Sequence, residues 1–586
     1  MREPEIWPEL LPMLSTNVAS IVRSLVLGLA ASALTALAEF IYGLRSFLIQ
    51  GIWFKNLGLP VEWIGILRSS EAASLLDLRF LFYSQAFLQN LLFWAAICFS
   101  LIYILKILRG EPALSLVPLY VLGLASARIQ LELQMAVAAK GGFFSFARID
   151  PFSYAQISAY FAMALLLFPT IIALISKLPF VRFFKLSSLG LPIILMPPIV
   201  DYYILRQPVI YNFFTSELYQ QARGPLEYLA ILSPGIKLEI VLIAASTFAY
   251  LAFRTRSVLR SAVAITAVIL VFSMVSTPAL ASRLHLGFSQ PQLFAGYLII
   301  TYLLIIVDLG LAQRNMTPTI LRRVRLRGIH FPAMMLFGLF FVHPAILATG
   351  IPEDFGLIIA GAVIVFLVWQ TATVFDDLYD RGQTELKQVY LAYGILMAAM
   401  AILSAVPFGL ILWLLTLLAV YLAADYPRIR RRHCLWSGVI IGIASSAAFL
   451  FGALLPIVSP PSARPVQALA LLIFAVFSGG SLLKDITNIE EDKRLRIPTV
   501  FTQFETKKVL PVVASFVAVG VALPAVFLRT LLDLVVFLGL GCVTWLLIVL
   551  ARDRSYKLVL ILYFLEGIWI FYRMFVNTSG YSTGCS

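Results

Sequence analysis

Residues 354–387 read DFGLIIAGAVIVFLVWQTATVFDDLYDRGQTELK, a long apolar run that ends in three carboxylates within five residues. A helix of about 20 apolar residues is long enough to cross the hydrocarbon core of a bilayer. We therefore predict a membrane-spanning helix over 354–378. Asp376, Asp377 and Asp380 then lie at one end of it, beside the membrane surface.

The rest of the chain has the same apolar character. Of its 586 residues, 61% are hydrophobic and 13% are charged, and the mean hydropathy is +0.94. A soluble protein could not cover so much apolar surface. Recurrent apolar runs predict an all-α polytopic integral membrane protein, with about eight helices in the N-terminal half and nine in the C-terminal half.

Short sequence signals exclude several other features. The four cysteines show no CxxC spacing, so we expect neither a zinc site nor a disulfide framework. The N-terminus has no basic stretch followed by a short apolar core and a small-residue cleavage site, so we expect no cleavable signal peptide.

The longest basic polar interval is QRNMTPTILRRVRLRGIH, residues 313–330. Such an interval between apolar segments is typical of a boundary. We predict an N-terminal multi-helix transmembrane domain of unknown function over 1–312, a basic cytoplasmic linker over 313–330, and a second membrane domain over 331–586.

The basic residues predict the orientation of the chain. In the C-terminal half, the loops on one side of the predicted helices hold twenty Lys and Arg, and those on the other side hold three. Basic loops face the cytoplasm, which also explains the net charge of +14 without a nucleic-acid partner. We expect a multi-pass protein of the cytoplasmic membrane of a prokaryote, with its site facing the cytoplasm.

The first acidic cluster follows directly from the quoted stretch. On a continuing helix, Asp377 and Asp380 are three residues apart and Asp376 and Asp380 are four apart, so all three project toward one patch. Carboxylates this close repel each other, and a bound divalent cation is the usual compensation.

A second acidic cluster lies in KDITNIEEDKRLRIPT, residues 484–499. Asp485, Asn488 and Asp492 are spaced i, i+3, i+7, on one helical face, and offer the oxygen ligands that Mg²⁺ prefers. Both clusters contain Arg and Lys, and together they hold eight of the thirty acidic residues. A Mg²⁺-diphosphate site requires this mixture of metal ligands and phosphate-binding cations. The alternative is that these are solvated loop charges beside membrane helices.

Together with YPRIRRR at 426–432 and RGIHFP at 327–332, the two clusters resemble the motifs of the UbiA superfamily of intramembrane prenyltransferases. The resemblance covers about residues 327–586 and implies a nine-helix bundle. The chain departs from the family pattern at five positions: Asp376 in place of Asn, Thr384 in place of Asp, Asn488 in place of Asp, and Glu491 and Arg496 in place of Gly.

The resemblance also implies the roles of individual residues. It implies Mg²⁺-dependent transfer of an isoprenyl group from its diphosphate to an aromatic or lipid-like acceptor in the membrane. The implied Mg²⁺ ligands are Asp376, Asp377, Asp380, Asp485, Asn488 and Asp492, of which Asp377, Asp380, Asp485 and Asp492 are catalytic. The implied substrate-binding residues are Asp376, Arg381, Lys387, Tyr426, Arg430, Arg431, Lys484 and Asn488.

Two other functions stay open at this point. Some relatives with the same fold transfer a phosphoribosyl group to a polyprenyl phosphate. A cation-dependent transporter or a non-catalytic lipid-binding protein is the alternative of another class. In the N-terminal half, the internal charges Glu39, Arg128, Glu132 and Asp201 either line a polar cavity, or sit at helix ends or pair with one another.

Overall fold

The computed structural model describes most of the chain from residue 151 onward. The described ranges are 56–57, 64–68, 78–82, scattered helical residues within 23–30 and 95–131, 151–205, 232–276, 289–312, 326–343, 346, 352–381, 387–457, 466–495, 497–525, 531–551 and parts of 558–572. Structural statements below refer to these residues.

The chain forms two compact units, residues 1–323 and 324–586. The division falls inside the basic interval 313–330, most of which lies outside the described residues. The domain boundaries predicted from the sequence stay predictions, as do the functions of the two halves.

The all-α prediction is wrong for one segment of the N-terminal unit. Strands β1 (Asn56–Leu57), β2 (Ile64–Arg68) and β3 (Leu78–Phe82) form a small antiparallel sheet in the order β1-β2-β3. A search for long apolar runs misses strands of this length, because five residues with a two-residue repeat do not produce such a run.

Five long helices follow in the N-terminal unit. They are α1 Pro151–Ser176, α2 Phe180–Gly190, α3 Pro234–Thr255, α4 Val258–Ser276 and α5 Gln290–Ala312. Helices α1 and α5 pack closely and run parallel, since Phe152 makes an edge-to-face contact with Phe294, and Tyr160 makes one with Tyr297. Short helical stretches between 95 and 128 complete this core with Phe99, Tyr103 and Tyr120.

The backbone after α2 is irregular. It passes through a 3₁₀ segment (Leu191–Leu195), a short α turn (Met196–Pro198) and a π-helix (Ile199–Ile204). Prolines interrupt the regular hydrogen-bond ladder, because they lack the N–H group. Buried side chains compensate: Arg128 donates to the Ile194 carbonyl, and Asp201 accepts from the Gly235 N–H at 2.6 Å.

These contacts account for two of the four internal charges, and the choice between the two alternatives stays a prediction. Arg128 also lies 3.8 Å from Glu239, so Arg128 and Asp201 pair with protein groups. Glu39 and Glu132 lie outside the described residues.

The C-terminal unit is a bundle of apolar helices. They are α6 His330–Val342, α7 Pro352–Arg381, α8 Lys387–Ser404, α9 Leu410–Ile429, α10 Trp436–Ala453, α11 Val466–Lys484, the short α12 Ile489–Leu495 and α13 Val500–Gln503, α14 Thr506–Ala522 and α15 Leu531–Ala551. A further apolar helix covers 561–570. Helix α9 ends at Ile429, so Tyr426 lies in its last turn.

Ten helices in the described ranges are long and apolar enough to cross a membrane, and three more apolar helices are shorter. This supports a polytopic membrane protein. The division into eight and nine helices stays a prediction.

Glycines permit the closest helix contacts of the C-terminal bundle. A Cβ atom on Gly452 of α10 would lie 1.8 Å from the Met335 carbonyl oxygen, and one on Gly338 of α6 would lie 2.0 Å from that of Phe449. Gly438 and Gly442, four residues apart, also bring α10 close to α11: Cβ atoms there would lie 2.9 and 2.6 Å from backbone oxygens of α11. Small residues at such spacing let membrane helices approach through their backbones.

We therefore expect Gly452→Ala to destabilise the C-terminal unit. The added methyl group overlaps backbone and has no flexible neighbour to displace, so we expect a loss of about 1–3 kcal/mol or more. The measurement is the thermal unfolding midpoint in detergent. Gly539→Ala is the matched control, because a Cβ atom there would have no neighbour within 4 Å; equal midpoints for the two variants would contradict the close contact.

Candidate active site

Three helices of the C-terminal unit end at one rim of the bundle. Helix α7 carries Asp376 and Asp377 in its last turns, α9 ends at Ile429 before a run of arginines, and α11 ends at Lys484. A 3₁₀ turn, Asp485–Asn488, then leads from α11 into α12. The two acidic clusters and the YPRIRRR element therefore lie on the same rim.

Arg430 connects the two acidic clusters. Its guanidinium forms a salt bridge with Asp376, with 3.2 Å between Nη2 and Oδ1, and it also interacts electrostatically with Asp485. The Arg430 side chain is 12% exposed and that of Asp376 is 21% exposed, so solvent screens this pair less than a surface pair. Two segments more than 100 residues apart in the sequence thus meet at one cation.

Tyr426 lies beside Arg430. The guanidinium carbon is 5.6 Å from the centre of the Tyr426 ring, and the phenol interacts electrostatically with Asp376 and Asp485. Arg431 makes a similar contact with Tyr379 of α7, at 4.6 Å. Both arginines predicted from the YPRIRRR element therefore face aromatic rings at the rim, in the geometry of cation–π contacts.

Each acidic cluster has one carboxylate that accepts a hydrogen bond from a hydroxyl on a neighbouring helix. Tyr390 of α8 donates to Asp377 Oδ2 at 3.3 Å, and Ser437 of α10 donates to Asp485 Oδ2, also at 3.3 Å. Asp377 is 5% exposed. The sequence prediction missed Tyr390 and Ser437; the only available signal was a hydroxyl near the start of a helix that follows a basic loop.

The remaining predicted residues are placed as follows. Asp492 lies in α12, within electrostatic range of Asp485, and Lys484 lies on the other side of Asp485 in the sequence. The backbones of Asp380, Arg381, Lys387 and Asn488 are helical, but their side chains lie outside the described residues. Their roles stay predictions.

Thr499, the last residue of the second motif, has a structural role. It is the N-cap of α13, where its hydroxyl accepts from the Thr502 N–H and the Thr502 hydroxyl accepts from the Thr499 N–H. This capping box fixes the chain direction after the acidic segment.

The carboxylates of the rim are possible ligands of a metal ion. In the described part of the chain, no group of three or more His, Cys, Asp or Glu side chains is arranged to hold a metal. Magnesium does not need such a cage, because it usually binds through one or two carboxylates, substrate phosphates and water. Carboxylates on both sides of Arg430 fit that mode of binding and do not fit a closed metal centre.

We expect Tyr390→Phe to lower the activity of this site about five- to tenfold with little change in stability. The variant removes one hydrogen bond to Asp377, which is worth about 1 kcal/mol, and keeps the buried ring. Ser437→Ala should do the same through Asp485. Tyr421→Phe is the control, because that side chain is 63% exposed on α9; equal activity of Tyr390→Phe and the control would show that the hydroxyl does not position Asp377.

Comparison with known proteins gives the following matches. Residues 378–565 match the model of the UbiA prenyltransferase family. A solved structure described as digeranylgeranylglyceryl phosphate synthase in membranes is 14% identical, with 44% of this chain and 98% of that chain covered at a TM-score of 0.34. No curated protein matches significantly.

Proposed function

We propose that the C-terminal half, which belongs to the UbiA superfamily as its motifs predict, transfers an isoprenyl group from an isoprenyl diphosphate to an acceptor that reaches the site from the membrane. Family membership supports prenyl transfer within the membrane in general. The Mg²⁺ requirement, the nature of the donor and the class of acceptor are part of the proposal.

The position of Arg430 supports the proposal most directly. A cation that forms a salt bridge with Asp376 and interacts with Asp485 brings carboxylates of both acidic clusters near one positive charge, as a site for a single diphosphate requires. Arginine forms bidentate hydrogen bonds with phosphate oxygens. On donor binding, Arg430 would exchange its carboxylate partners for the diphosphate.

The electrostatics of the rim favour a site that takes its anion together with metal ions. The C-terminal ends of α7, α9 and α11 all carry the negative end of a helix dipole, and the acidic clusters add to it. The carboxylates of Asp376, Asp377 and Asp485 would repel a bare diphosphate locally, whereas Arg430, Arg431 and Lys484 would attract it. Bound Mg²⁺ would reverse this repulsion and neutralise charge on the departing diphosphate.

The residues of the rim act on the donor and the leaving group. Asp377 and Asp485 would hold the donor's counter-ions, and their hydrogen bonds to Tyr390 and Ser437 keep these carboxylates oriented. Arg430 and Arg431 would bind the diphosphate oxygens. Lys484 and the predicted Arg381 and Lys387 would add positive charge around them.

The bond between the allylic carbon and the diphosphate oxygen breaks, and the diphosphate keeps the electron pair. The acceptor's nucleophilic atom then bonds to that carbon and loses its proton. Tyr426, whose ring lies against Arg430, is placed to orient one of the two reactants. The apolar bundle would enclose the isoprenoid tail and keep water from the cation.

The test is thermal stability of the purified full-length protein with Mg²⁺ and either geranylgeranyl diphosphate or phosphoribosyl diphosphate. A ligand of the native state raises stability by RT ln(1 + [L]/Kd), so at 100 times Kd the gain is about 2.7 kcal/mol. We expect stabilisation by the isoprenyl donor that requires Mg²⁺. A response to the phosphoribosyl donor alone would replace the proposal with phosphoribosyl transfer, and a response to neither would favour a transporter or a lipid-binding protein.

A further inference from the structure

Asp308 is a buried acid in α5 of the N-terminal unit. Its side chain is 4% exposed, and it lies within the candidate membrane span Pro291–Leu311. It belongs to a helix face with the alternating three- and four-residue spacing of a packed seam. The same face carries Phe294, Leu298, Thr301 and Ile305, all of them buried.

This face of α5 lies against α1. Three contacts in register define the parallel pair: Phe152 with Phe294, Tyr160 with Tyr297, and Thr170 with Asp308. The last of these is a hydrogen bond between the Thr170 hydroxyl and Asp308 Oδ1. Among these three contacts it is the polar one, and it joins side chains 138 residues apart.

The number of protons available at this contact depends on the state of Asp308. Thr170 Oγ1 lies 2.6 Å from the Leu166 carbonyl oxygen as well as within hydrogen-bond distance of Asp308. A hydroxyl has one proton to donate. With an ionised carboxylate, Leu166 and Asp308 would compete for that proton; with a protonated one, Asp308 donates to Thr170, Thr170 donates to Leu166, and both contacts are satisfied.

Among the described residues of α1 and α2, no buried positive charge compensates Asp308. Helix α1 contains no charged residue, and Lys177, Arg182 and Lys185 at the start of the next segment and in α2 are exposed. Tyr297 and Tyr302 are the other titratable groups of α5. Asp308 Oδ2 is buried without a hydrogen-bond partner among the described residues, and an unpaired carboxylate at such a place is costly.

We propose that Asp308 and Thr170 form a proton-binding site inside the N-terminal unit, in which the bound proton joins α5 to α1. Loss of the proton leaves two acceptors facing one hydroxyl and an uncompensated charge in the seam, which weakens the helix pair. The site is independent of the prenyl transfer proposed for the C-terminal half.

The test is infrared spectroscopy of the full-length protein in lipid near neutral pH, with isotope-labelled aspartate. We expect a protonated carboxyl band that is lost in Asp308→Asn and retained in Asp201→Asn. Asp201 is the matched control because it is equally buried, at 1% exposed, but accepts a hydrogen bond from the Gly235 N–H. Thr170→Val should shift the band, because the acid loses its acceptor.

Thermal unfolding as a function of pH provides a second readout. A group that binds its proton more tightly in the folded state loses its contribution as pH rises, so the wild-type midpoint should fall with rising pH by more than that of Asp308→Asn. A carboxyl band unchanged in Asp308→Asn would overturn the proposal, and so would a midpoint that depends on Na⁺ and not on pH. If Asp308→Asn does not fold, a carboxyl band that is unchanged in Thr170→Val would also overturn the proposal.

Discussion

Asp485→Asn is expected to lower prenyl transfer at least about a hundredfold while the protein stays folded. The carboxylate of Asp485 accepts from Ser437 and interacts with Arg430, Lys484 and Asp492. A neutral amide cannot offer a metal ion the same charge, and loss of one such group that stabilises developing charge typically costs about 10²–10³ in rate. Asp377→Asn should have a similar effect through the other cluster.

The measurement is the initial rate of diphosphate release at saturating donor, together with the thermal unfolding midpoint. Asp425→Asn is the control on the same rim, since Asp425 forms only a partly exposed pair with Arg428, at 3.6 Å. We expect it to retain activity within about twofold, because exposed ion pairs contribute little. Comparable rates for Asp485→Asn and Asp425→Asn would exclude Asp485 from the site.

Arg430→Gln is expected to act in two opposite directions. Donor affinity in the presence of Mg²⁺ should fall about a hundredfold, because charged hydrogen bonds to a phosphate, worth about 1.5–3 kcal/mol each, are lost. Stabilisation by Mg²⁺ alone should increase, because Arg430 no longer competes with the metal for Asp376 and Asp485. A simple packing defect would not weaken binding of the donor and at the same time strengthen binding of Mg²⁺.

Both effects can be measured by thermal shift titrations with Mg²⁺ alone and with Mg²⁺ plus donor. Arg432→Gln is the control, because its side chain is exposed at the end of the same loop, and it should leave both titrations unchanged. If Arg430→Gln weakened Mg²⁺ and donor binding equally, the guanidinium would not be competing with the metal for the two clusters.

The parts of the candidate site that the sequence points to are local in sequence. Asp376 and Asp377 are adjacent, and Tyr426 and Arg430 are one helical turn apart, so a short motif captures each pair. That the motifs lie on one rim follows from the apolar length of the helices that precede them. The bounds of α7, Pro352–Arg381, lie within three residues of the predicted 354–378 for the same reason.

The contacts that join the motifs are long-range, and no local pattern encodes them. Tyr390 and Asp377 are 13 residues apart, and Ser437 and Asp485 are 48 apart, so each hydrogen bond depends on how two helices pack. The pairing of Arg430 with Asp376 likewise depends on α7 and α9 running side by side.

Two features of the N-terminal half show other limits of sequence reasoning. The strands between 56 and 82 are too short to appear in a search for membrane-length apolar runs. Asp308 lies alone in an apolar helix, and its partner Thr170 comes from a helix far away in the sequence. The contact between Asp308 and Thr170 depends on the packing of α5 against α1, which no local sequence pattern encodes.

The most direct test of the central claim is a turnover measurement with the full-length protein in lipid. The protein is incubated with Mg²⁺ and isotope-labelled geranylgeranyl diphosphate in a membrane lipid and quinone-precursor extract, and labelled products are identified by mass spectrometry. We predict a labelled prenylated product and stoichiometric diphosphate, both absent from the double variant Asp377→Asn, Asp485→Asn. Equal product formation by the wild type and the double variant, or donor that binds in the wild type and is never consumed, would contradict prenyl transfer at this site.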